Sequence, residues 1–106
     1  MSKLERTIKD LVIFYVKENY NKYLKENNLT IIEKDKLKEL ISNLYDSKKD
    51  HLKQFLKESI KELLQEDYPG DLVINNMCYN IFQDDDLCKN RVYIEIELHQ
   101  ENQLKQ

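Results

Sequence analysis

Twelve consecutive residues, Leu72 to Gln83, carry no charge in a chain that is 35% charged, and this stretch constrains the fold more than any other. Leu72, Val73, Ile74, Met77, Cys78, Tyr79, Ile81 and Phe82 point in nearly every direction around a helix turning about 100° per residue. A helix that is apolar all round is buried all round. Leu72–Phe82 is therefore expected at the centre of the fold, with the first and third helices packed against it. Tyr68-Pro69-Gly70-Asp71 marks the boundary before it: Pro presets the first turn position, Gly supplies a positive φ, and Asp can cap the helix that follows.

A chain of 106 residues is long enough for one domain and too short for two. A hydrophobic fraction of 41% supports one core without metals or disulfides. A single helical domain is expected over residues 1–100, with a frayed tail over 101–106. Residues 3–26 read as a helix. Leu4, Ile8, Leu11, Val12, Tyr15, Val16 and Tyr23 fill one arc of its wheel, and Ile13, Tyr20 and Leu24 fill a second arc beside it. The two arcs span more than half the wheel, so the helix is either central or offers its second arc to a partner.

Asn27-Asn28 ends that helix, and Leu29–Ile32 reads as a short extended connector. A second helix is expected over Glu33–Tyr45, with Leu37, Leu40, Ile41, Leu44 and Tyr45 on one face. A third is expected over Lys48–Glu66, with Leu52, Phe55, Leu56, Ile60, Leu63 and Leu64 inward. Ser47 followed by Asp50 resembles a capping box and favours a bend between the two. Asp84-Asp85-Asp86 suits the positive end of a last helix. From there the pattern divides: Leu87, Arg91, Ile94 and Leu98 fit a helix, whereas Val92 to Leu98 alternates like a strand. A lone strand would have no mate in this chain, so the reading is an all-α bundle of four or five helices, with a short strand over 91–99 as the alternative.

The net charge of −3 argues against general nucleic-acid binding. Cys78 and Cys88 make no disulfide framework. The apolar run Leu11–Val16 is too short to span a membrane, and the first residues lack a signal-peptide pattern. A cytoplasmic or nuclear protein is expected. An EF-hand loop opening at Asp84 fails at Cys88 and at Lys89, where a glycine must turn. Cys78, Cys88, His51 and His99 show no metal-ligand spacing. No metal or cofactor is expected. The serines lack the surroundings of a nucleophile, and a single glycine leaves no Gly-rich phosphate loop. Catalysis is not expected.

Two binding surfaces remain. The first is a protein-interaction face, self-association included, built on Ile13, Tyr20 and Leu24 and supported by a tyrosine-rich composition suited to interfaces. The second is a basic flank of the third helix, Lys49, Lys53, Lys57 and Lys61, which would suit RNA or an acidic phospholipid. Glu58, Glu62 and Glu66 form an acidic flank on the other side of the same helix.

Overall fold

The computed structural model describes residues 3–83 and 90–104, apart from the side chains of Tyr45 and Leu104. Among these residues the chain is all-α: α1 (Lys3–Glu26), α2 (Lys34–Ser47), α3 (Lys49–Leu64), a 3-10 turn (Gln65–Asp67), α4 (Asp71–Phe82) and α5 (Arg91–Leu104). The molecule measures 42 × 26 × 25 Å. The 24 residues of α1, at about 1.5 Å each, run most of that length. No helix among the described residues is long and apolar enough to cross a membrane.

Helix α1 touches each of the other four helices. Its Ile8, Val12, Val16 and Tyr20 recur every four residues and are wholly or almost wholly buried. Within the second arc, Tyr20 is covered from within the chain, by α5. The Tyr20 hydroxyl donates to Gln100 Oε1 at 2.8 Å, the His99 ring stands edge-on to the Tyr20 ring at 6.3 Å, and Lys17 pairs with Glu95 at 3.8 Å. Helix α1 is thus the central helix of the bundle.

Asn28 closes α1 in the left-handed conformation, φ 53°. The Leu29 N–H reaches back to the Leu24 carbonyl at 2.9 Å and the Asn28 N–H to Lys25 at 3.4 Å, the paired bonds of a Schellman ending. The connector that follows is extended, and one side chain holds it. Gln100 Oε1 accepts from the Ile32 N–H at 2.7 Å, and its Nε2 donates to the Ile32 carbonyl at 3.3 Å. The Gln100 amide thus gives a buried stretch of backbone the partners a neighbouring strand would have supplied. Each buried polar group left unpaired would cost about 1–3 kcal/mol.

Between α2 and α3 only Lys48 departs from helical geometry, with φ −113° and ψ 21°. Its N–H still bonds to Leu44 and its carbonyl still accepts from Leu52, so the break is a bend rather than a loop, as expected. The capping box at Ser47 and Asp50 does not form: no side chain caps this junction. Asp71 likewise starts α4 rather than capping it, because Gly70 occupies the cap position at φ 111°, ψ 157°. That backbone region is essentially open to glycine alone.

Two expectations are corrected. Helix α4 is not surrounded: Ile74, Cys78 and Ile81 form a buried stripe, while Leu72, Val73, Asn76, Tyr79, Asn80 and Gln83 face outward. The alternative strand over 91–99 does not form. Val92, Ile96 and Gln100, spaced by four, bury one face of a helix against α1 and α2, and this periodicity outweighs the β-branched composition. Helix α5 continues through Glu101, Asn102 and Gln103, which are exposed. Asp84-Asp85-Asp86, Leu87, Cys88 and Lys89 lie outside the described residues.

Candidate functional site

Exposed apolar groups on α4 share their face only with amides. Leu72 is 74% exposed and Tyr79 56%, with Val73 beside them at 43%. Asn76, Asn80 and Gln83 complete the face. Leu72, Asn76, Tyr79 and Gln83 follow one another at intervals of four, three and four, the spacing of a seam that a second helix can cover. An outward helix face with no charge is unusual in a chain this rich in Lys and Glu. Its origin is plain in the sequence: the apolar set at 74, 78 and 81 takes the core side with Met77 and Phe82 at its edge, which leaves Leu72, Val73 and Tyr79 outward.

The lysines of α3 stand on the helix packed beside α4. Burial pushes the Cys78 thiol up, and the positive charges of Lys53 and Lys57 pull it back down. Lys49, Lys53 and Lys57 are half-buried, consistent with stems lying on the core edge. Lys61 is committed elsewhere: it pairs with Asp71 at 3.3 Å and sits 5.4 Å from the Tyr68 ring centre. Tyr68 donates its hydroxyl to the same carboxylate at 2.6 Å. Desolvation, then this bond to Asp71, pushes the Tyr68 phenol up to about 12. The Tyr68 hydrogen bond and Lys61 in turn hold Asp71 below the usual carboxylate range. The four lysines therefore do not form one free strip.

The residues expected at a partner surface on α1 are packed rather than free. Tyr20 is fully buried against α5, and Ile13 and Leu24 are half-buried on the edge of the core. Of the tyrosines whose side chains are described, Tyr79 alone is mostly exposed. Phe14, which belongs to neither arc of the α1 wheel, is 52% exposed and stacks on Phe55 at 6.3 Å. Phe55 also meets Tyr15 at 5.3 Å, so a small aromatic cluster joins α1 to α3.

A second feature is concave. One side of α1, from Tyr15 to Lys25, faces the α2–α3 bend across a cleft of about 650 Å³, with Lys48 and His51 on the far wall. A hollow of about 130 Å³ adjoins it and shares Asn19, Lys22 and Lys48. Among the described residues, no three His, Cys, Asp or Glu side chains come together as a metal-holding group. No protein-family model matches the chain, no curated protein matches it in sequence, and no solved structure matches it.

Proposed function

We propose that the protein is a small non-catalytic interaction module that receives an acidic, amphipathic helical segment of a partner protein along the outer face of α4. The observation that carries this reading is the uncharged, exposed face of Leu72, Val73, Asn76, Tyr79, Asn80 and Gln83, whereas other exposed apolar residues such as Phe14, Leu63, Ile94 and Leu98 have acidic residues beside them on their helices. Apolar anchors at helical spacing are what a partner helix uses. A tyrosine contributes area while keeping a hydroxyl that tolerates water in the free protein. We take the acidic character of the partner from Lys53 and Lys57 of α3, the helix packed beside α4, whose positive charges reach Cys78. Such charges steer encounter and fix orientation more than they add affinity.

The test is affinity capture from native extract with the full chain, in parallel with Leu72→Asp/Tyr79→Asp and Lys53→Glu/Lys57→Glu. The reading predicts a stoichiometric protein that the α4 double variant loses while staying folded by circular dichroism. The lysine variant should retain it weakly, and more so at low salt. A partner captured equally well by the α4 double variant would refute the assignment. Sedimentation equilibrium of the purified protein separates a foreign partner from a second copy: a concentration-dependent dimer abolished by the same variant would make the occupant another copy of this chain.

A further inference from the structure

The cleft between α1 and the α2–α3 bend is lined very differently from α4. Lys22 and Lys25, on adjoining turns of α1, face Lys48 and His51 across a concavity of about 650 Å³. That size falls within the usual range for small-molecule sites. Among the described residues none of these three lysines has a carboxylate within 4.0 Å, in contrast to Lys17 and Lys61, which do. The bend at Lys48 sets this residue across the cleft from the other two.

The charge balance says what would settle there. Glu18 is the carboxylate in the lining, so three positive groups less one negative leave two positive charges with His51 neutral. Glu26 lines only the side hollow. A monocarboxylate would leave half of that charge unmatched, whereas a phosphate monoester carries about −1.5 to −2 at neutral pH. Lysine ammonium groups also suit phosphate: each is a compact point charge with three rotatable donors, and no arginine fork is present to favour a planar carboxylate. Asn21 and His51 add polar groups, and Tyr15, whose ring also meets Phe55, is the aromatic side chain of the lining, beside which the group carrying the phosphate would lie. We infer that this cleft is a binding site for a phosphate monoester carrying an apolar or aromatic group. The inference is independent of the α4 reading.

The experiment is titration of the ¹⁵N-labelled full chain, by NMR and calorimetry, with phenyl phosphate, inorganic phosphate and benzoate. Saturable phenyl phosphate binding is expected, with amide shifts concentrated at residues 18–25 and 48–51 and tighter binding than for either other probe. Lys22→Gln/Lys48→Gln should weaken it about tenfold, the effect of losing two exposed charge contacts together. Lys53→Gln/Lys57→Gln, on α3, should leave it unchanged. A parallel arm uses phosphatidylcholine vesicles with and without phosphatidic acid. Binding to phenyl phosphate assigns the site to a soluble ester, and binding only to the phosphatidic acid vesicles, lost in Lys22→Gln/Lys48→Gln, assigns it to a lipid headgroup. Absence of saturable binding in both arms, or binding indifferent to Lys22 and Lys48, would overturn the inference.

Discussion

Helices α1 and α4 invert what their compositions promise. Helix α1 carries charge on nearly every turn, yet it lies at the centre and touches all the other helices. Helix α4 has no charge after Asp71, yet half of its surface faces solvent. The difference lies in how many sides are covered. The charges of α1 are exposed or half-buried at its flanks, and a line of Ile8, Val12, Val16 and Tyr20 is enough to seat it. Helix α4 is seated against α1 and α3 by Ile74, Cys78 and Ile81 with Met77 and Phe82 at their edge, and nothing else in the described chain covers its far side. Lack of charge marks a helix that tolerates burial; the number of packed neighbours decides whether burial happens inside the chain.

The sharpest way to break this contrast is to charge both helices. Val16→Asp should abolish cooperative unfolding or cost more than about 4 kcal/mol, because an unpaired carboxylate would enter a fully buried position. Leu72→Asp should change stability by less than about 0.5 kcal/mol in the same urea titration.

Next in size is Gln100→Leu, which strands the Tyr20 hydroxyl and the Ile32 N–H. A loss of about 2–4 kcal/mol is expected. Tyr20→Phe in that background should cost less than it does alone, and strictly additive losses would show that the two groups act separately. Gly70→Ala should cost about 1–3 kcal/mol through backbone strain alone, since a methyl group there would meet nothing within 4 Å. A neutral result would place Gly70 outside its positive-φ region.

The turn before α4 carries a pH signature. The folded state holds the Asp71 carboxyl below its ordinary 3.8, through Tyr68 and then Lys61. Its contribution is therefore fully present above that value and is lost as pH falls through the lower, folded one. Stability curves of the wild type and Asp71→Asn should differ at neutral pH and converge in acid; a constant gap would contradict the pairing. The smallest effect is expected at Tyr93→Phe. The Tyr93 hydroxyl is shut off from solvent and makes no hydrogen bond of good geometry, and burial and then the neighbouring Glu97 carboxylate push its phenol up, so its removal should change stability by less than about 1 kcal/mol.

Much of the fold was legible in the sequence. Asn27-Asn28 ends α1, Pro69-Gly70 opens the way to α4, and four-residue spacings mark the buried lines of α1, α2 and α3. The reading fell short where tertiary contact decides. Nothing local to Tyr20 says that α5 will cover it. The pairing of Gln100 with Ile32 and Tyr20 spans 68 and 80 residues of chain. The exposed face of α4 did have a local signal: Asn76, Asn80 and Gln83 fall opposite Ile74, Cys78 and Ile81, and amides divide such a helix as charges divide the others. The basic cleft had none, because Lys22 and Lys25 meet Lys48 only through the bend.

The most direct test is equilibrium urea unfolding of Leu72→Asp/Tyr79→Asp, followed by circular dichroism. If the outer face of α4 is a free recognition surface, the double variant unfolds in one cooperative transition with a midpoint close to that of the wild type. A variant that is molten, or that unfolds at much lower urea, would show that this face is core and would remove the ground for the proposed function.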